Sequence, residues 1–306
     1  MFKYILQRLV LAIPTLFGVA VVVFLMLRML PGDPARVIAG VMASEADVER
    51  IRMQLGLDQP VLTQFVSFMG RLAHLDLGQS ARTSQPVLQE ILARLPYTVE
   101  LAVTAIVLAT VVGIMAGVMA ATHHNTKVDY LVSALSLFGV SMPVYWLGLM
   151  LIVVFAINLK VLPAAGADQP ASFIMPSFTL ALFVVGLITR MTRSSMLEVL
   201  RQDYVQTARA KGLAEQRVRY THALRNALLP VVTVVGLQFG TLLGGAVLTE
   251  TVFGWPGIGQ LLVDSIFSRD YPLVQGIVLT FSTLFIMVNL AVDILYAYID
   301  PRIHYG

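Results

Sequence analysis

The chain has 306 residues, 57% of them hydrophobic and 13% charged, with a formal net charge of +3. A soluble domain carries roughly 25% charged residues, so lipid is the expected solvent for much of this chain. The small net charge makes no case for a nucleic-acid partner, and the lack of cysteine excludes disulfides and thiol chemistry.

A bilayer core needs about 20 apolar residues in a helix. Leu9 to Leu27 is the first charge-free run, preceded by Lys3 and Arg8. A cleaved signal peptide is the competing reading. The run is longer than an h-region, and "MLPGDPA" follows it instead of a small-residue cleavage site. In "SEADVERIRMQLGLDQP", a Ser44 cap and an acidic first turn predict a short amphipathic helix ending near Gly56, and a second helix is expected from Val61 to about Leu72. This region is either a solvated cap over the membrane part or a docking surface for an external partner. Leu101 to Thr122 is the second span, and Tyr130 to Leu159 is the third, with a kink expected at Pro143. Ala171 to Thr189, Asn226 to Thr249 and Tyr271 to Val292 complete six.

Six spans put both termini on one side. Lys3, Arg8, Lys127, Arg302 and the eight basic residues from Arg190 to Arg225 fall on the N-terminal side, whereas the two short loops opposite hold Lys160 and Arg269. The positive-inside rule therefore reads both termini as cytoplasmic. Residues 31–96 carry six Arg, but a long translocated segment largely escapes that rule.

The basic loop contains "DYVQTARAKGL", Asp203 to Leu213. Asp203 reads as an N-cap, with Gln206 three residues on, and Gly212 as a stop. At 100° per residue, Tyr204, Val205, Ala208 and Gly212 share an arc. Gln202, Asp203, Gln206 and Arg209 lie opposite. A helix of two turns is marginal alone. It either rests on anionic headgroups or plugs into a groove on another protein.

Over nearly its whole length the chain resembles the permease subunits of peptide-type ABC importers, the dipeptide, oligopeptide, glutathione and nickel group. The resemblance is carried by "MLPGDPA" (29–35), "LGLDQP" (55–60), "DLGQS" (76–80), "SMPVYWLG" (141–148) and "RMTRSSMLEVLRQDYVQTARAKGL" (190–213). It continues through "HALRNALLPVVTVVGLQFGTLLGGAVLTETVFGWPGIG" (222–259), "RDYPLVQG" (269–276) and "NLAVDILYAYIDPR" (289–302). The family's Glu-Ala-Ala-x-x-x-Gly motif stands here as Gln206 to Gly212, with Gln206 and Thr207 replacing its first two residues. Its Leu-Pro element is displaced downstream to Leu229 and Pro230.

The resemblance implies an all-α membrane protein with six spans and a type I ABC importer transmembrane domain. It divides the chain into an anchor helix (1–30), an extracytoplasmic segment (31–95), a five-helix domain (96–299, coupling loop 190–225) and a cytoplasmic tail (300–306). It makes residues 203–210 a coupling helix docked on an ATPase, with Asp203, Tyr204, Val205, Thr207, Ala208, Ala210, Lys211 and Gly212 as candidate contacts. It also implies a second homologous permease, two P-loop ATPase subunits holding ATP and Mg, an extracytoplasmic binding protein and a bacterial cytoplasmic membrane. The chain itself has no G-x-x-x-x-G-K-[ST] to cradle phosphate.

Other chemistries find little support. His123 and His124 read as a polar membrane edge, not metal ligands. Ser133, Ser136 and Ser141 share a span, but no span holds a His to activate them. An ion-coupled secondary transporter would need ionisable groups within the membrane; Glu100, Glu250 and Asp293 lie near span ends. Ser141, Met142 and Pro143 are candidates to line a cavity at the third helix. Gly236, Gly240 and Gly244 are either packing residues within the subunit or a contact with a second permease. Asn289, Asp293, Tyr296 and Asp300 form a polar stripe on the last span.

Overall fold

The structure is a computed structural model. It describes residues 2–29, 32–40 and 42–299, with side chains between residues 6 and 294. Leu30, Pro31, Asp300, Arg302 and the 300–306 tail, and the side chains of Lys3 and Tyr296, lie outside the described residues.

The helices in order are α1 (Phe2–Met29), α2 (Pro34–Ala39), α3 (Glu45–Gln54), α4 (Val61–Ala73), α5 (Val87–Thr122), α6 (Lys127–Ser141), α7 (Val144–Leu151), α8 (Ile174–Val199), α9 (Asp203–Ala210), α10 (Glu215–Arg217), α11 (Leu224–Phe253), α12 (Ile258–Phe267) and α13 (Tyr271–Ile299). π-Helical turns continue α7 through Ile152–Asn158 and join α10 to α11 through Val218–Ala223. No sheet forms among the described residues; Gln79 and Pro86 make an isolated bridge.

Among the described residues, five helices are long and apolar enough to cross a bilayer, and a bent pair makes up to six. The second begins at Val87, well before Leu101, because Pro96 is accommodated inside α5. The third departs most from expectation. It is two helices, Lys127–Ser141 and Val144–Asn158, meeting at 101°. Pro143 cannot donate its backbone nitrogen to a continuing helix, and the chain turns there instead of tilting gently. Ser44 does cap α3, accepting from the Asp47 N–H, and α4 matches the second expected short helix. Helix α12, in the loop before the last span, was not foreseen.

The core is built from α5, α8 and α11, through Leu101, Ala105, Ala109, Val184, Ile188, Val231, Leu243 and Ala246. Lipid tails are as apolar as these side chains, so close packing must hold the helices together. Gly117 permits that approach: a Cβ there would stand 2.5 Å from Thr192 Cβ and 2.7 Å from the Thr189 carbonyl. Outside this core, α1 packs through Phe24 on Phe65 and Phe68 of α4.

At the end carrying α12, the fold is closed by carboxylates. Glu250 is fully buried and accepts from Thr98 Oγ1 at 2.6 Å and from the N–H groups of Gly259 (2.7 Å) and Gln260 (3.0 Å). Thr98 Oγ1 in turn accepts from the Ile258 N–H at 2.9 Å. The first N–H groups of α12, which no helix can satisfy itself, are thus capped from α11 and α5. Asp270 likewise accepts from Leu273, Ala81, Arg82 and Ser80, tying the 80–82 loop to the start of α13.

Candidate functional site

At the opposite end, α8 finishes at Val199 and the chain turns into α9. Gln202, not Asp203, occupies the N-cap position, and its side chain makes no capping bond. Asp203 is the first helical residue, where its charge meets the positive end of the helix dipole. The stop at Gly212 is as expected. Its φ of +77° suits glycine. The N–H of Gly212 reaches the Arg209 carbonyl (2.9 Å) and that of Leu213 the Ala208 carbonyl (3.4 Å), the Schellman pattern.

The structure divides the candidate contacts of α9: Val205 and Ala208 turn inward, and Asp203, Tyr204, Thr207, Ala210, Lys211 and Gly212 are exposed. Val205 is fully buried and Ala208 nearly so, packed with Val218, Val199, Leu200 and Leu213 of the same chain. Val205 and Ala208 are therefore not free to meet a partner. The reason is elementary: a short amphipathic helix buries its apolar arc against the nearest apolar surface, here the end of α8 and the π-helical turn before α11. Tyr204 is 43% exposed, and its hydroxyl accepts from Asn226 Nδ2 at 2.7 Å. The outward arc consists of Asp203, Gln206, Thr207, Ala210 and Lys211, all exposed. Arg209 is a clamp: it donates to Glu215 at 3.1 and 3.2 Å and to the Leu200 carbonyl at 3.4 Å, while Arg219 holds the same Glu215 at 3.0 Å.

Beneath α9 sits an ion pair that the sequence reading missed. Asp129, at the start of α6, is buried and takes Arg193 Nε at 2.6 Å and Nη2 at 2.8 Å. His124 Nδ1 lies 3.1 Å from the same carboxylate, and the Asn125 N–H donates at 3.0 Å. This fixes His124 as an edge residue of an ion pair. No group of His, Asp and Glu fit to hold a metal occurs among the described residues. An open hollow of about 520 Å³ separates this pair from α9, walled by His124, Arg193, Leu197, Arg201 and Asp203. The legible signal was a carboxylate three residues into one apolar helix and an arginine near the end of another.

The remaining candidates lie elsewhere. Ser141, Met142 and Pro143 form the α6–α7 bend, far in sequence from α9. The next helix seats Gly148 against Phe253 at the far end of α11. The glycine stripe divides. A Cβ on Gly236 would meet Val292 at 2.4 Å and one on Gly240 would meet Phe285 at 3.2 Å, so both pack on α13 within the chain. Gly244 has open space and borders a lateral groove with Thr15, Val19 and Ser282. Asp293 pairs with Arg8 of α1 at 3.0 Å, and Asn289 Oδ1 is buried without a partner.

A model for the inner membrane component of binding-protein-dependent transport systems matches residues 113–305, and the N-terminal model for such membrane components matches residues 1–102. The chain belongs to this family. It is 48% identical over 305 residues, the full length of both chains, to the glutathione transport system permease protein GsiC of Escherichia coli, and equally to that of Shigella dysenteriae. These matches bear out the resemblance to the permeases of peptide-type ABC importers. The fold agrees. Inward-facing MetNI methionine ABC transporter structures share 18% identity, cover 71% of this chain and 100% of theirs, and reach a TM-score of 0.61. An amino acid ABC transporter crystallised with histidines reaches 0.53 at 14% identity, covering 71% of this chain and 95% of that one. The chain is thus a multi-pass permease subunit, a transport component of the inner membrane.

Proposed function

We propose that this permease carries small peptides across the bacterial cytoplasmic membrane, with both termini and α9 cytoplasmic, and that α9 is the coupling helix. Its ATPase contact is the outward arc of Asp203, Gln206, Thr207, Ala210 and Lys211. The observation that carries this is the division of α9: its apolar side is buried in its own subunit and its polar side is left outward. A helix resting on lipid would turn its apolar side toward the acyl chains. Val205 and Ala208 pack α9 on the end of α8 and on the π-helical turn that leads into α11, and Tyr204 bonds Asn226 of α11, so a push on α9 bears on the ends of two core helices. ATP and Mg are held by the ATPase subunits, a second permease completes the pathway, and an external binding protein delivers cargo. Peptides of the glutathione class are the cargo favoured by the relatives' names.

The chain lacks cysteine, so single cysteines report cleanly. Thr207→Cys and Ala210→Cys are expected to cross-link to the ATPase subunit in the assembled transporter and to be shielded from membrane-impermeant thiol reagents added outside intact cells. Val205→Cys is expected to do neither. Cross-linking from Val205→Cys alone, or external labelling of Ala210→Cys, overturns the reading.

A further inference from the structure

A cavity of about 270 Å³ lies at the end opposite α9, between α1, α3, α4 and the start of α13. Three arginines line it: Arg28 from the last turn of α1, Arg71 from the last turn of α4, and Arg269 from the loop before α13. No carboxylate does. Of the acids in the flanking loops, Asp33 engages Arg52 and the Ala35 N–H, Asp270 engages the 80–82 loop, and Asp58, between the lining residues Leu57 and Gln59, accepts from Gln59 Nε2 at 3.4 Å without lining the cavity itself. Arg28 is positioned without being neutralised. Its guanidinium lies 3.4 Å from the centre of the Phe24 ring and donates to Gln64 Oε1 at 2.7 and 3.0 Å, both uncharged partners.

Gln275 gives the independent observation. It is 6% exposed, lines the same cavity, and its Nε2 has no hydrogen-bond partner. A buried donor of this kind calls for an acceptor. The guanidinium groups of Arg28 and Arg71 on the same cavity make an anion the favoured one. The cavity also sits where α1 and α13 reach the limits of their apolar runs, Leu6–Met29 and Tyr271–Ile294, the level of lipid headgroups. On α4, Thr63, Ser67 and Arg71 face the cavity, and the adjoining flank exposes Leu62 (73%) and Val66 (62%). Cationic and apolar surfaces thus meet along one helix, as a phospholipid's head and chains require.

We propose that this cavity binds a phosphate-bearing anion, the chemistry shared by an anionic phospholipid headgroup and free phosphate. The test uses the full chain purified in mild detergent, as wild type, Arg71→Gln and Gln275→Leu. Phosphatidylglycerol retention is read by native mass spectrometry, and thermal unfolding is compared in phosphate and in chloride at equal ionic strength. Removing one charge-assisted contact is expected to weaken retention at least about tenfold. Arg71 is exposed, so its replacement leaves the fold intact. Retained phosphatidylglycerol without a phosphate shift identifies the lipid as the source. A phosphate shift without retained lipid identifies the free ion. Neither effect in the wild type, or equal effects in all three proteins, overturns the proposal.

Discussion

The two ends of the α5–α8–α11 core each bury a carboxylate. At the α12 end Glu250 binds only groups of its own chain, Thr98 and the N–H groups of Gly259 and Gln260, and the helix it caps is sealed into the fold. At the α9 end Asp129 secures the base, taking Arg193 in two bonds. The helix that follows is only half absorbed: Val205 and Ala208 are inside, and Asp203, Gln206, Thr207, Ala210 and Lys211 are left out. One end satisfies itself. The other holds a base under a polar face that stays exposed, tied back within the chain by Gln206 Nε2 on the Leu200 carbonyl at 3.3 Å and by Thr207 Oγ1 on the Asp203 carbonyl.

If that contrast is right, the base of α9 must be costly to disturb. Arg193→Leu leaves Asp129 buried without its cation, a change of about 3–5 kcal/mol. Little folded protein is expected by thermal denaturation in detergent, with partial recovery in Arg193→Lys, which keeps the charge but loses the fork. Wild-type stability in Arg193→Leu would show that Asp129 is not the anchor. Next in size is Ala208→Asp. A carboxylate set among Val205, Val218 and Leu213 has no partner, and about 3 kcal/mol is the expected loss. This variant damages the subunit itself, so a drop in membrane abundance should accompany any loss of transport. Normal abundance would mean that α9 is not packed as described.

Glu250→Gln probes the sealed end. The amide oxygen can stay on the Gly259 and Gln260 N–H groups, but its NH₂ then faces the Thr98 hydroxyl, which donates to Glu250 and already accepts from Ile258; the expected cost is about 1–3 kcal/mol, read as a lowered Tm. The comparison fails if this substitution exceeds Arg193→Leu in effect.

The apolar runs made five of the spans and the all-helical class legible, because a bilayer imposes a length on them. The Gly212 stop was legible because it depends on a local backbone angle. The 101° break at Pro143 was not, because proline marks a weak point and leaves the angle to tertiary packing. Nor was the facing of α9. Helical periodicity places Val205 and Ala208 together but cannot say whether their arc meets a partner or their own α8 and the π-helical turn before α11. The cap on α12 was hidden for a related reason: Thr98 and Ile258 meet only across 160 residues of chain.

The smallest effect on stability is expected at Ala210, and it bears most on function. Ala210 is one turn from Gln206 and three residues from Thr207, in the middle of the outward arc, and it is exposed. Ala210→Asp leaves no buried group unpaired and should change the subunit's own stability by less than about 0.5 kcal/mol. Membrane abundance and Tm should match the wild type. In the assembled transporter the same carboxylate falls into a protein contact, and a loss of roughly 3 kcal/mol there weakens docking on the order of 100-fold. Substrate-stimulated ATPase activity and uptake should therefore collapse while the permease remains folded. Ala208→Asp, two positions away on the buried side, should fail in the opposite manner, by stability first. If Ala210→Asp transports normally, the outward face of α9 is not where the ATPase docks, and the difference between the two ends of the core is one of packing alone.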